Sequence, residues 1–276
     1  MIRGTTRLIA HLGHPIDAVK APMIYNPYFE HHRIDAVVVP MGVDATNYPA
    51  LFRALFSLTN IVGSLVTMPH KMTTASLLDE CSDAVRVAGS CNAVLRRADG
   101  SLLGDLFDGA GFIRGLQRKG FECRGATCLI VGAGGVGSAI AAALAGARVA
   151  CIASYDLNAA ASAGLKRRII ERYPDVEVQL RGPDPAGYDL VVNATPLGMC
   201  LDDPLPVDVE RLAASTFVGE VVMKQEVTPL LNAARRKGCR TQVGTDMLFE
   251  QIPLYLRFFG LGDAQPDELR ALARLS

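Results

Sequence analysis

Three glycines at the spacing Gly132-x-Gly134-x-x-Gly137 lie between an apolar run, Cys128 to Val131, and an alanine-rich segment reaching about Ala145. Each has its own physical use. Gly132 permits a tight turn, Gly134 lets a pyrophosphate approach bare backbone, and Gly137 lets a helix pack close to a strand. A second apolar run, Arg148 to Ala153, leads to Asp156. A carboxylate there accepts hydrogen bonds from ribose hydroxyls and repels a 2′-phosphate. The spacing therefore points to dinucleotide binding, with NAD favoured because no Arg or Lys lies between Cys151 and Gly164. NADP is the second cofactor considered, since Lys166, Arg167 and Arg168 can fold back toward a 2′-phosphate. Asp156 has a competing use as the cap of a helix from Ala159 to Arg168.

These residues need a strand, a turn, a helix and a second strand to hold them. The helix should begin near Val136, so that its free N–H groups and the positive end of its dipole face the phosphates. Gly132, Ala133, Gly134, Gly135, Val136 and Gly137 together form the candidate cofactor loop. Upstream, strands are expected over 7–12, 35–43, 61–66, 92–97 and 101–103, the last two joined as a hairpin across Ala98-Asp-Gly100. Helices are expected over 23–32, 48–58, 69–78 and 110–119. Pro27 falls in a first turn or kinks its helix, and Pro69 suits a first helical turn. Downstream, strands are expected over 176–181, 189–192, 216–222 and 241–243, and helices over 228–237 and 247–259. Strands alternating with helices on both sides of residue 122 describe an α/β chain.

The 276 residues include 28 basic and 28 acidic side chains and are 50% hydrophobic. That is enough chain for two domains or one large one. A balanced charge without a basic cluster argues against a nucleic-acid partner. The seven cysteines are scattered without metal-ligand spacing, so no metal is expected and the thiols read as reduced. No apolar run is of membrane-spanning length, and the first residues lack a signal-type core. A soluble cytoplasmic protein, monomer or homodimer, acting on a small molecule is expected.

Read together, the loop sequences resemble the shikimate dehydrogenase family over nearly the whole chain. Leu65-Val-Thr67-Met-Pro69-His-Lys71 is similar to that family's Asn-Val-Thr-x-Pro-x-Lys, and Ala88-Gly89-Ser-Cys-Asn92-Ala-Val94 to its Gly-Ala-x-Asn-Thr-Val. Asp108-Gly109-Ala110-Gly111 matches the end of Asn-Thr-Asp-Gly-x-Gly. Gly132 to Ser138 matches the nucleotide turn, Asn193-Ala-Thr-Pro-Leu-Gly-Met199 matches almost residue for residue, and Met247-Leu-Phe-Glu-Gln251 resembles Met-Leu-Val-x-Gln. The resemblance implies a two-domain α/β fold: an N-terminal mixed-sheet α/β substrate domain and a Rossmann, doubly wound dinucleotide-binding domain. The first covers residues 1–110, with a C-terminal helix in 245–276 returning to it; the second covers 111–244, with catalysis in the cleft between them. It also implies reversible hydride transfer between a nicotinamide cofactor and a ring hydroxyl of shikimate, quinate or a related cyclic hydroxy acid. Lys71 and Asp108 are the implied catalytic pair, and Thr67, Asn92 and Gln251 the implied substrate ligands. Asn193, Ala194, Thr195, Gly244 and Met247 join the cofactor loop.

The chemistry suits these residue types. Moving a hydride off an alcohol carbon also requires its hydroxyl proton to leave, so a positioned acid/base is needed. A lysine held by a carboxylate and partly desolvated can accept that proton. The chain departs from the family where a substrate carboxylate is held. The family's Gly-x-Pro-Ile-x-His-Ser-x-Ser-Pro reads here Gly13-His-Pro15-Ile16-Asp17-Ala18-Val19-Lys20-Ala21-Pro22, with both serines gone. Either Lys20 or Tyr25 takes over the carboxylate, or the substrate is less polar there. Leu106-Phe107, Ala93 and Met223 also replace more polar family residues. Three further readings stay open: a family member with a less polar substrate and little shikimate activity, a non-catalytic dinucleotide-binding sensor, and a two-domain dehydrogenase acting on amino acids or folates.

Overall fold

The computed structural model describes residues 2–17, 19–200 and 202–275. The chain divides into two compact units, Met1–Phe107 with Ile252–Ser276, and Asp108–Gln251.

In the first unit the elements run β1 (Arg7–Gly13), α1 (Pro22–His31), β2 (Ala36–Gly42), α2 (Tyr48–Leu55), β3 (Ile61–Val66), α3 (Lys71–Ala75), β4 (Glu80–Cys81), α4 (Asp83–Ala88), β5 (Ala93–Arg96) and β6 (Leu102–Asp105). They form one mixed sheet in the order β2-β1-β3-β5-β6-β4. β1, β2 and β3 are parallel, while β5 is antiparallel to both its neighbours. The carboxyl ends of β1, β2 and β3 thus share a sheet end with the start of β5.

The helix expected over 69–78 is confined to Lys71–Ala75. Pro69 lies before it in a turn closed by His70 N–H to Thr67 O, and so stands outside the helix. Pro27 is interior to α1, where it has no N–H for the Met23 carbonyl. The backbone N–H of Arg274 donates to that carbonyl instead, at 2.8 Å. Among the elements absent from the expectation are α4, capped by the Ser82 hydroxyl and ended by left-handed Gly89, and the two-residue β4.

The second unit continues with α5 (Asp108–Arg118), β7 (Thr127–Val131), α6 (Gly135–Gly146), β8 (Cys151–Tyr155), α7 (Ala159–Arg172), β9 (Glu177–Leu180), β10 (Leu190–Asn193), β11 (Phe217–Glu220), α8 (Pro229–Arg236), β12 (Arg240–Gln242) and α9 (Gly244–Phe258). The sheet order β12-β11-β10-β7-β8-β9 is parallel throughout, the doubly wound arrangement in which strand order reverses between β7 and β10. Its strands are apolar runs because both faces are covered: Leu129, Ile130, Ile152, Leu190, Val191 and Val192 are fully buried.

The boundary expected at 244/245 falls later, within α9. A Cβ on Gly111 would meet Gln251 Cβ at 2.7 Å and Met247 O at 2.8 Å, so the first half of α9 packs on α5 inside the second unit. α10 (Pro266–Leu272), a last helix with Pro, Asp267 and Glu268 in its first turn, belongs to the first unit. All seven cysteines are free, five of them buried. Among the described residues no helix is long and apolar enough to cross a membrane.

Candidate functional site

One group of candidate residues gathers at the shared end of the mixed sheet. Thr67 N–H donates to Leu12 O, and His14 N–H to Met68 O, so the loops after β1 and β3 are laced together. His70 fixes the turn that presents Lys71: its Nε2 lies 2.8 Å from Val43 O, and its ring stacks on Tyr48 at 3.9 Å. Cys91 N–H donates to Lys71 O at 2.8 Å, which sets Asn92 beside the same turn.

Asn92 is 1% exposed. Its Oδ1 accepts from Phe107 N–H at 3.0 Å, while its Nδ2 is buried with no partner. An unmet buried donor costs roughly 1–3 kcal/mol, so this amide is a candidate for bonding an oxygen from outside the protein. Thr67, Lys71 and Asn92 are therefore brought to one end of the sheet.

The loop missing both serines is a turn closed by Val19 N–H to Ile16 O, followed by Ala21, which gives α1 no side-chain cap. Ala18, within it, lies outside the described residues. Lys20 is partly buried in that turn. Tyr25 is a core residue of α1, 2% exposed, with its ring 6.1 Å from Phe29, and burial pushes its phenol pKa up.

In the second unit the glycine turn has the geometry its spacing called for. Gly132 has φ 105°, and a Cβ there would meet Ala194 O at 2.6 Å. A Cβ on Gly137 would collide with Gly132 O, whereas one on Gly134 would meet nothing within 4 Å. The open ground above Gly134, at the N-terminus of α6, fits a pyrophosphate, and it lies at the switch point of the sheet.

Asp156 does something the spacing did not reveal. Its Oδ2 accepts from Ala133 N–H at 2.7 Å and its Oδ1 from Asn158 N–H at 2.8 Å, so it ties β8 to the glycine turn. The cap of α7 is Asn158, whose Oδ1 accepts from Ala160 N–H; the competing capping use of Asp156 is not the one observed. Each carboxylate oxygen still has a lone pair for a ribose hydroxyl.

Across the switch point, Asn193 is consumed within its own loop. Its Nδ2 donates to Leu197 O and to both oxygens of Glu220, and its Oδ1 accepts from the Thr195 N–H and hydroxyl. Asn193, expected to touch the cofactor, thus bonds its own loop with both ends of its amide. Glu220 was not singled out in the sequence. It is fully buried at the end of β11, where burial raises its pKa while the Val222 N–H, Asn193, Thr228 and the Val221 N–H lower it.

Gly244 opens α9, where a Cβ would collide with Val222 O; Met247 is 2% exposed. Asp108, 4% exposed, opens α5, and Gln251 is buried with its Oε1 unpartnered.

The sequence also missed His11. It is 9% exposed on β1, its Nδ1 is buried without a partner, and burial, then the charge of Lys71, pushes its pKa down to about 4. A single histidine in an apolar run gives no periodic signal.

Residues 12–94 match the model of the shikimate dehydrogenase substrate binding domain. A shikimate dehydrogenase (NADP(+)) of Rubrobacter xylanophilus is 36% identical over 254 residues, 91% of this chain and 89% of that one. The chain belongs to the shikimate dehydrogenase family. Members of this family are oxidoreductases acting on CH–OH groups with a nicotinamide cofactor. Two solved members have the same fold: shikimate 5-dehydrogenase from Listeria monocytogenes in complex with shikimate and NAD (TM-score 0.90, 26% identity, 98% of this chain and 97% of that one), and quinate dehydrogenase from Corynebacterium glutamicum in complex with NAD (TM-score 0.87, 28% identity, 97% and 98%).

Proposed function

We propose that this shikimate dehydrogenase family member interconverts a ring hydroxyl and a ketone on shikimate, quinate or a related cyclic hydroxy acid. The observation that supports it best is the buried Asn92 amide, with its free donor, set against the turn that presents Lys71. Such a pair recognises one ring oxygen and handles the proton of another.

When bound, the nicotinamide takes up or returns the hydride. Lys71 accepts the hydroxyl proton during oxidation and gives it back during reduction. Asp108 is assigned to the same proton transfer by its motif, and Thr67, Asn92 and Gln251 to the ring oxygens. The open backbone at Gly134 and the N-terminus of α6 hold the pyrophosphate.

NAD is the proposed cofactor, although the Rubrobacter relative is named for NADP(+). Asp156, fixed by two backbone N–H groups, puts a negative charge where a 2′-phosphate would lie. Lys166 begins the next basic run in sequence, about 12 Å along α7 from Asn158 at 1.5 Å per residue; Arg181, whose backbone N–H donates to Ser154 O, is a cation beside the end of β8.

A second reading, a less polar substrate with little shikimate turnover, is favoured by Val19 and Ala21. Initial rates with shikimate, quinate and less polar ring alcohols, each with NAD and NADP, decide between the two; silence with all of them overturns both. Lys71→Ala is expected to lower kcat by about 10²–10⁴-fold with cofactor binding intact. Unchanged ligand binding in a parent without turnover would instead identify a sensor.

A further inference from the structure

β1 is the middle strand of a parallel trio, and a strand covered on both faces is ordinarily apolar throughout. Ile9, Ala10 and Leu12 are fully buried and follow that rule. His11 does not.

In register, His11 lies opposite Pro40 on β2 and Leu65 on β3; Leu65 lies opposite Ala93 on β5, and Ala93 opposite Asp105 on β6. Residues opposed across a ladder project from the same face, so these form one row at the sheet end where Thr67 and Lys71 follow β3. Two members of the row have lost hydrogen-bonding groups. Leu65 stands where the motif Asn-Val-Thr-x-Pro-x-Lys has its asparagine, and Ala93 where Gly-Ala-x-Asn-Thr-Val has its threonine. One strand over, the row carries an imidazole. Its Nδ1 is buried and unpartnered, and Lys71 is near enough for its charge to act on the ring. Burial keeps that ring neutral near pH 7, with one nitrogen a donor and the other an acceptor, either of which suits a hydroxyl.

We infer that His11 is a substrate-contacting, specificity-determining residue, whose Nδ1 hydrogen-bonds a ring oxygen of the substrate beside Lys71 in place of the polar groups absent at positions 65 and 93. The inference rests on the proposed function and deepens it. It makes the oxygen on the β1 side of the ring a required feature of the substrate.

The test uses the full chain, the parent and two variants, His11→Leu and His11→Gln, each first shown to unfold cooperatively. Kinetics on the best ring alcohol are combined with nitrogen-15 NMR of the histidine side chains, five in the chain, as shikimate or quinate is added in the presence of NAD. The His11 signals are identified by their loss in His11→Leu. Expected are a ligand-dependent shift of His11 Nδ1, a fall in kcat/KM of about ten-fold or more in His11→Leu, partial recovery in His11→Gln, and unchanged affinity for NAD. Turnover equal to the parent in His11→Leu overturns the inference and leaves the proposed function standing. A ligand-dependent shift in a parent without turnover supports the contact and overturns the function. Neither shift nor turnover overturns both.

Discussion

The two units arrange their candidate ligand-binding residues in opposite ways. In the dinucleotide unit the polar side chains around the switch point bond one another: Asp156 holds Ala133, Glu220 holds Asn193, and Asn193 holds Thr195. A Cβ on Gly134, beside them, would meet nothing within 4 Å. In the substrate unit the polar side chains near Lys71 are left unfinished, with His11 Nδ1 and Asn92 Nδ2 buried and unpartnered; among the described residues the other unit has such groups only away from its switch point, at Gln242 and Gln251. Backbone recognition suits a ligand part shared by many enzymes, whereas unfinished side chains suit a substrate that differs between family members.

The contrast can be broken at its strongest point by one substitution made twice. Gly137→Ala drives a Cβ into Gly132 O and is expected to lower stability by about 2–4 kcal/mol, seen as a reduced urea midpoint, with cofactor binding lost as well. Gly134→Ala meets nothing within 4 Å and should unfold like the parent while binding NAD more weakly in a calorimetric titration. Equal stability in the two variants would remove the distinction between packing glycine and ligand-facing glycine.

The substrate unit should reveal its unfinished side chain through pH. His11 has a folded pKa of about 4 against 6.5 unfolded, so the unfolded chain binds the extra proton between those values. Its neutral form is fully tolerated above pH 6.5, and stability is lost as pH falls through that window, by roughly 2 kcal/mol at pH 5. Urea melts at pH 7 and pH 5 should show a smaller loss in His11→Leu than in the parent.

A smaller effect tests the cofactor. Asp156→Ser is expected to shift the NADP-to-NAD ratio of kcat/KM upward by about ten-fold, since it removes the repelling charge but also one tie to the glycine turn. The smallest is expected at the loop lacking hydroxyls. Val19→Ser with Ala21→Ser should raise kcat/KM for shikimate a few-fold, about one hydrogen bond's worth; a fall would place the carboxylate elsewhere.

The difference between the halves also governs what could be read from residues alone. Backbone recognition advertises itself through glycines, and Gly132, Gly134 and Gly137 gave the strand, turn and helix directly. Strands β1, β3 and β7 were legible because buried strands are continuous apolar runs. α4 and α10 carried ordinary signals, Ser82 before and Gly89 after the one, Pro266 opening the other, but their apolar faces are too short to show a period. Side-chain recognition depends on which partners the fold withholds. Nothing in the sequence says that Asn193 will be bonded within its loop and Asn92 left half free, or that Glu220 will anchor the loop after β10. His11 became visible only through its register with Leu65 and Ala93.

The substrate unit is completed by a late segment of the chain. A Cβ on Gly63 would meet the Phe259 ring at 2.5 Å, and Arg274 N–H occupies the carbonyl that Pro27 leaves on Met23. The dinucleotide unit, residues 108–251, is continuous. During synthesis it has all of its own sequence before β1 to β6 receive Phe259 or Arg274, so the unit begun first on the ribosome is the one completed last.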